Sequence, residues 1–327
     1  MSAPASTPLE GSAIVLSAST EVGQPNASTT SLAPGQALGV VNIQDLRNPL
    51  DVPMLVDEIL FNIVTNSLAV PGIRFGGDIR LNLKLGADEI VQQYVPLWLL
   101  GAAKNFSVVS ASAGPTVLAS QLNSSILGMR LASQLLLYPG EFLNPTFYNA
   151  AQLLSGSVAV RMTVRGRAMK ADATKQSLPW IGSFVGNPVA PNADYTEETT
   201  ESNLCNPYDV PLTLDRMVGG VANDATATLA TAGLYSDPTA MDAGLQYAVV
   251  RIVDGDGQPI IRDFTPVGHL FQLADYSWRL KGTMPANSFW KAYIEENYVS
   301  IGAATPNLQV MMRLIGHRPL SGNASGA

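Results

Sequence analysis

The chain has 327 residues, enough for two domains of ordinary size that each bury their own core. Only 14% of the residues are charged and the mean hydropathy is +0.16, so we expect neighbouring chains to cover much of the surface. A formal net charge of −7, without a Lys/Arg cluster, argues against direct nucleic-acid binding.

The single cysteine, Cys205, excludes an intrachain disulfide and a cysteine-based zinc site, and we expect it to be a buried thiol. No run of about 18 apolar residues predicts a transmembrane helix. The first residues lack the basic-then-apolar order of a signal peptide, so none is expected.

Residues 1–38 are rich in Ala, Ser, Thr, Pro and Gly. This composition buries too little apolar surface to offset the entropy of ordering, so it predicts an extended N-terminal arm. Ile14, Val15 and Leu16 are the residues best suited to dock on a neighbour. The arm carries no Lys or Arg, which excludes a genome-binding role for it.

A first domain is predicted over residues 39–170, and it opens with the turn Asn48–Asp57. Proline fixes φ and favours extended geometry in the preceding residue, while Asp tolerates turn conformations. The apolar residues after the turn then predict a strand. Strict apolar/polar alternation predicts further strands at residues 78–85 and 158–165.

The same turn recurs at an offset of 206 − 48 = 158 residues. In both copies Asn, Pro, Asp, Val, Pro and a final Asp hold the same places. Their Asp residues are predicted to cap backbone groups, because they belong to a duplicated turn. Leaving aside the two Val residues, the matched positions are Asn48, Pro49, Asp51, Pro53 and Asp57, followed by Asn206, Pro207, Asp209, Pro211 and Asp215.

Other landmarks follow each turn in the same order. A strand pattern contains Pro96 in the first half and Pro266 in the second, and the closing strand ends on Gly166 or Gly316 before a basic or His residue. We therefore expect two copies of one domain, residues 39–170 and 205–320, joined by a linker at 171–204 and followed by a flexible tail at 321–327. The alternative is two unrelated β domains that share a turn type.

A short helix is predicted before the last strand of each domain. Asn at a cap, Pro at the first helical position and apolar residues at helical spacing are typical of a helix start. The residues behind this prediction are Asn144, Pro145, Phe147, Tyr148, Ala151 and Leu154, and Asn287, Ser288, Phe289, Trp290, Tyr293 and Ile294.

No catalytic, cofactor or metal site is predicted. Asp254 and Asp256 resemble the start of a calcium loop, but the twelfth position is Thr265 rather than Glu, so a β-hairpin is the better interpretation. His269 and His317 lack metal-binding spacing, and no Gly-x-Ser-x-Gly motif accompanies either.

This arrangement resembles the double jelly-roll major capsid proteins of the tailless, membrane-containing icosahedral viruses, a lineage that includes certain bacteriophages and the adenovirus hexon. The resemblance covers residues from about 39 to 320, and it rests on architecture, length and duplication. It implies an all-β fold of two tandem eight-stranded jelly-roll barrels. It also implies a non-enzymatic structural protein whose homotrimers form pseudo-hexagonal tiles of a viral shell.

The implied partners are other copies of the chain, minor capsid or penton proteins, and an internal lipid membrane reached by the N-terminal arm. The implied location is the virion, after assembly in the host cytoplasm. Three alternatives stay open: a virion shell or tail protein of another fold, a two-domain cupin-like enzyme, and a secreted adhesin of tandem sandwiches. One histidine per half is few for a cupin metal site, and the absence of a signal pattern weakens the adhesin.

Overall fold

The computed structural model describes residues 10–20, 32–33, 35–65, 79–100, 126–129, 131, 133–149, 158–186, 200–223, 248–270, 277–296 and 308–320. Within these ranges the chain is all-β, as the sequence predicts. It divides into two compact units, the first made of residues 1–101, 125–180 and 319–327, and the second of residues 102–124 and 181–318. None of the described helices has the length and apolar character needed to span a membrane.

The described part of unit 1 contains two sheets. In the first, the order is β1-β9-β3, and both β6 and β7 pair with the far side of β3; in the second, the order is β2-β8-β4-β5. A 3-10 turn at Ile43–Leu46 and the one-turn helix α1, Leu97–Leu100, complete the unit. The strands are β1 (Ala13–Ser19), β2 (Ala37–Gly39), β3 (Met54–Thr65), β4 (Ile79–Leu85), β5 (Asp88–Pro96), β6 (Ile126–Met129), β7 (Leu135–Leu137), β8 (Leu143–Asn149) and β9 (Val158–Ala168).

The described part of unit 2 also contains two sheets, and β10, the strand with which they begin, starts with residues Ser177–Trp180 that belong to unit 1. The first has the order β10-β18-β12, with β15 and β16 on the far side of β12, and the second has the order β11-β17-β13-β14. The one-turn helix α2, Val267–Leu270, follows β14. The strands are β10 (Ser177–Gly186), β11 (Thr200–Cys205), β12 (Leu212–Asn223), β13 (Ala248–Asp254), β14 (Pro259–Pro266), β15 (Ser277–Trp278), β16 (Gly282–Met284), β17 (Phe289–Glu296) and β18 (Leu308–Pro319).

The strand order of unit 2 repeats that of unit 1, with each strand number raised by nine. The short strands β6 and β7 pair with residues 59–62 and 54–56 of β3, so they fill one position in the sheet. The short strands β15 and β16 share one side of β12 in the same way. Each unit therefore has eight strand positions in its described residues, arranged as two sheets of four.

Alternating apolar side chains fill the space between the two sheets of unit 1. Phe61 of β3 meets Phe147 of β8 edge to face, with ring centroids 6.1 Å apart. Because these strands belong to different sheets, this contact joins the two layers. Burying a large apolar side chain contributes roughly 1.5–3 kcal/mol, and Leu81 and Met162 are also fully buried here.

The short helices predicted before the last strands are strands instead, β8 and β17. Along β8 the buried residues alternate with half-buried ones, and along β17 Trp290, Ala292 and Ile294 are buried in alternation. A period of two places every second side chain in the core, and this pattern outweighs the Asn and Pro signals that suggested helix starts. Ala151 and Leu154 lie outside the described residues.

Two segments that the sequence left without regular structure contain strands. Within residues 1–38, Ala13–Ser19 forms β1 and pairs antiparallel with β9. Within residues 171–204 lie β10 and most of β11. Cys205, which we expected to be a buried thiol, is exposed at the end of β11. The tail at 321–327 lies outside the described residues.

Candidate functional site: the duplicated turns

The turn before β3 is organised by one buried asparagine. Asn48 is 1% exposed, and its side-chain amide donates to the carbonyl oxygens of Val52 at 3.0 Å and Leu137 at 2.9 Å. Its side-chain oxygen accepts from the backbone N–H of Leu50 at 3.0 Å. One side chain therefore closes the turn on itself and ties it to β7.

The turn before β12 is organised in the same way by Asn206, which is also 1% exposed. Its amide donates to the carbonyl oxygens of Val210 at 3.0 Å and Met284 at 3.3 Å, and also to that of Pro285 at 2.8 Å. Its side-chain oxygen accepts from the backbone N–H of Tyr208 at 3.1 Å. Asn206 thus ties its turn to β16, the counterpart of β7.

Backbone hydrogen bonds fasten both turns to the loop before the seventh strand position, which is β8 in unit 1 and β17 in unit 2. The Asn48 N–H donates to Glu141 O at 2.8 Å, and the Asn206 N–H donates to Ser288 O at 2.7 Å. The residue before each acceptor has a positive φ, +80° at Gly140 and +51° at Asn287. Glycine adopts this conformation freely and asparagine tolerates it better than most residues do.

The last Asp of each turn motif is the extra residue of a β-bulge. The β3–β9 register shifts between Val56 and Glu58, at Asp57, and the β12–β18 register shifts between Leu214 and Arg216, at Asp215. A bulge inserts one unpaired residue and bends its strand. The same irregularity therefore occurs at the same place in both units.

Both bulge carboxylates contact a basic side chain on the facing strand, where the sequence predicted backbone capping. Asp57 Oδ1 lies 3.6 Å from Arg167 Nε, and Asp215 Oδ2 lies 3.3 Å from His317 Nδ1. The second pair is an ion pair only when His317 is protonated. All four side chains are partly exposed, so solvent screens both contacts.

A glycine opposite each bulge allows the two backbones to approach closely. A Cβ on Gly166 would fall inside 3.0 Å of Leu55 O, and a Cβ on Gly316 would fall inside 3.0 Å of Thr213 O. Real Cβ atoms do not make such contacts with backbone atoms. The sequence marked both glycines as ends of matching strands, but their role depends on the facing strand.

The remaining motif residues are exposed, with one exception. Pro53 is buried, and the other matched Pro and Asp positions are exposed. These exposed positions are Pro49, Asp51, Pro207, Asp209 and Pro211. The motif therefore consists of one buried amide, one bulge carboxylate and a set of residues that fix the backbone path.

The acidic residues Asp254 and Asp256 and the histidine His269 were examined in the sequence as possible metal ligands. Asp254 Oδ1 accepts from the N–H groups of Asp256 at 3.0 Å and Gln258 at 2.7 Å, and β13 pairs with β14 across this turn, so the predicted hairpin is confirmed. His269 lies exposed in α2. Within the described ranges, no group of three His, Cys, Asp or Glu residues is placed to hold a metal ion.

Comparisons with known proteins give remote likenesses only. No family model matches the chain, and no curated protein matches it either. Among solved structures, it is similar to the major capsid protein P2 from bacteriophage PM2, with 10% identity over 95% of this chain and 99% of that chain, at a TM-score of 0.40.

Two further likenesses are weaker. For the mavirus major capsid protein the identity is 9%, covering 98% of this chain and 89% of that chain, at a TM-score of 0.31. For N-glycanase F (PNGase F) the sequence identity is 10%, over 92% of this chain and 95% of that chain, at a TM-score of 0.29. Two are capsid proteins and one is named as an enzyme, and at these TM-scores none of them establishes a shared fold or function.

Proposed function

We propose that this chain is a structural protein of a viral capsid, built as two tandem jelly-rolls and acting without catalysis. The observation that carries the proposal is the nested pairing of the strands in each unit. In unit 1 the first strand pairs with the last (β1–β9), the second with the eighth (β2–β8), β3 with β6 and β7, and β4 with β5. Unit 2 repeats this nesting from β10 to β18.

Nested pairing of this kind is what a long folded hairpin gives when it is rolled into two sheets. Every connection except the β4–β5 hairpin then crosses from one sheet to the other. Eight strand positions in two four-stranded sheets of this type make a jelly-roll, an architecture of viral capsid and lectin domains and of cupins. The nesting supports the jelly-roll, and the duplication supports the capsid.

The duplication matters because of symmetry. A homotrimer of chains that each carry two similar units presents six similar units around one axis, which is a pseudo-hexagonal tile. Such tiles can cover a closed shell. The low charge content, 14%, fits a chain whose flanks are covered by neighbours. Permanent interfaces of this kind typically bury more than about 2,000 Å².

The test is the state of the purified chain in solution. We expect sedimentation velocity and light scattering to give a trimer that persists on dilution, and negative-stain images to show six similar lobes. A stable monomer with no tendency to form trimers or shells would contradict the proposal. Placement in the virion, contacts with minor capsid or penton proteins and contact with an internal membrane are further parts of the proposal.

A cupin-like enzyme is the competing proposal that shares the jelly-roll architecture. The two are separated by metal analysis of the same preparation. A capsid protein is expected to hold no stoichiometric transition metal, whereas a cupin needs one bound by several histidines and a carboxylate. One metal ion per chain, with His269 or His317 among its ligands, would favour the enzyme.

A further inference from the structure

Strand β1 lies at an edge of unit 1. Its last residue, Ser19, accepts a hydrogen bond from the Val41 N–H at 2.9 Å, and the sequence of the strand before it does not protect the edge. Its residues Ala13–Ser19 include no charged residue and no proline, which are the usual means of blocking edge-to-edge association. Val15 at its centre is 64% exposed. In the described residues β1 ends its sheet, with β9 as its one neighbouring strand.

Backbone N–H and C=O groups of every second residue of β1 face away from β9. The Thr20 N–H donates to Val160 O at 3.0 Å, and the β1–β9 register continues in antiparallel alternation from Ser19. In such a ladder only every second residue bonds its neighbour. The N–H groups of Val15 and Ser17 therefore point away from β9, towards a strand that the described residues do not supply.

The other sheet of unit 1 has an edge of the same kind, at β5, and that edge is occupied. The strand beside β5 is β10, whose residues Ser177–Trp180 belong to unit 1. Trp180 is fully buried, and its indole N–H donates to Gln92 Oε1 on β5 at 3.0 Å. The outer edge of β5 thus accepts a strand of the β10 type.

The counterpart of β5 in unit 2 is β14, and its outer edge is open in the described residues. Each of these strands is followed by a one-turn helix and pairs with the fourth strand position of its unit. Arg262, Asp263 and Phe264 of β14 are exposed, the last at 37%. The counterpart of β10, in turn, is β1.

Within one chain, therefore, one member of a duplicated strand pair is formed and the other is missing. The formed pair is β5 with β10, and the unfilled edges are β14 and β1, which are the repeats of the same two strands. We propose that β1 of one copy of the chain pairs with β14 of a second copy. This inference rests on the proposed trimer and specifies the surfaces that join its chains.

Such a contact is head-to-tail, because each chain offers a different surface to each neighbour. Head-to-tail contacts close into a ring when the rotation fits and otherwise continue as open filaments. Three chains joined in this way would repeat the β14–β1 pair at each of the three junctions between chains.

The first test removes one outward N–H. Val15→Pro leaves the β9 ladder intact, since proline is tolerated on edge strands whose N–H faces outward. We expect the dissociation constant of the trimer to rise about tenfold or more, because the hydrogen bond that the Val15 N–H would donate to β14 is lost. Val15→Asp should weaken the trimer too, while the matched control Val15→Thr, which keeps the N–H and the β-branched shape and adds no charge, should not.

The second test joins the two strands covalently. In a Cys205→Ser background, Ser17→Cys is combined in turn with Arg262→Cys, Asp263→Cys or Phe264→Cys, because a disulfide requires Cα atoms about 4.4–6.8 Å apart. We expect at least one combination to give a covalent trimer on non-reducing gels, and none of the single variants to do so.

The outcomes separate this inference from the proposed function. Suppose that the wild-type chain forms trimers, that Val15→Pro trimers are equally stable, and that no cysteine combination gives a crosslink. This result would overturn the β1–β14 contact and leave the capsid proposal standing. A chain that is monomeric throughout would overturn both. Crosslinks within a single chain, or an open-ended ladder of covalent oligomers, would overturn the closed ring.

Discussion

The two turns differ mainly at positions where another residue can supply the same physical contribution. The buried amide is Asn in both units, and the residue opposite the bulge is Gly in both. In contrast, the positive-φ residue is Gly140 in unit 1 and Asn287 in unit 2, and the partner of the bulge Asp is Arg in one and His in the other.

This difference shows which constraints are strict. A left-handed backbone accepts either Gly or Asn, and a partly exposed carboxylate accepts either of two basic partners. A buried side chain that must both donate to carbonyls and accept from an N–H has few substitutes, since only an amide does both in so short a side chain. Glycine at a site without room for a Cβ has no substitute at all.

The glycines opposite the bulges should give the largest effects. We expect Gly166→Ala and Gly316→Ala each to destabilise the unit that carries it by about 3 kcal/mol or more, because the added Cβ would meet a backbone carbonyl that cannot move aside. The measurement is hydrogen exchange of the amides of each unit, which separates the two units.

Glycines elsewhere in the strands provide the control. A Cβ added to Gly282 would have no neighbouring atom within 4 Å, and one added to Gly39 would make only one ordinary contact, with Pro145 O at 3.6 Å. Gly282→Ala and Gly39→Ala should therefore change stability by less than about 1 kcal/mol. If the bulge and control glycines gave equal effects, the close approach of the backbones would not be what requires glycine.

The buried amides should give the next largest effect. Asn48→Ala removes two donated hydrogen bonds and one accepted one, and Asn206→Ala removes three donated and one accepted. Leaving buried carbonyls unpaired should cost roughly 2–3 kcal/mol in each unit. Thermal and urea unfolding, followed by exchange within each unit, would measure this loss.

Replacement by Asp sharpens the test. Asn48→Asp keeps the acceptor for Leu50 N–H but turns a carboxylate oxygen towards two carbonyls, so it should destabilise at least as much as Ala. The control is Asn42, an exposed asparagine that accepts from Gln44 N–H at the start of the 3-10 turn, where Ala should cost about 1 kcal/mol or less. Similar losses at Asn42 and Asn48 would contradict the role assigned to the buried amide.

The sequence could predict the turns because their determinants are local. Pro and Asp act on the residues beside them, and the offset of 206 − 48 = 158 residues is visible in the chain alone. The all-β class followed from the alternation in strands such as β4. The nested strand order could not be predicted in this way, because it depends on which distant segments pair.

The features that the sequence did not predict depend on distant pairing in the same way. The helix predicted from Asn144 was wrong because the choice between two periods is decided by the sheet into which Phe147 packs. The sequence of residues 1–38 predicted an extended arm from its composition, but β1 within it is ordered by pairing with β9. The role of Asp57 depends on a register shift against a strand about a hundred residues away.

The bulge ion pairs should give the smallest effect, and one that distinguishes the two units. Double-mutant cycles on Asp57 with Arg167 and on Asp215 with His317 should each give a coupling below about 1 kcal/mol, because all four side chains are partly exposed. Added salt should reduce both couplings.

Exchanging the basic partner in unit 2 should show whether the two contacts are equivalent. The guanidinium of Arg167 is always charged, whereas His317 forms an ion pair with Asp215 only when it is protonated. His317→Arg should therefore give a coupling with Asp215 at least as large as that of the wild-type pair, measured by the same double-mutant cycle. Loss of the coupling in His317→Arg would mean that the histidine is not the functional counterpart of Arg167.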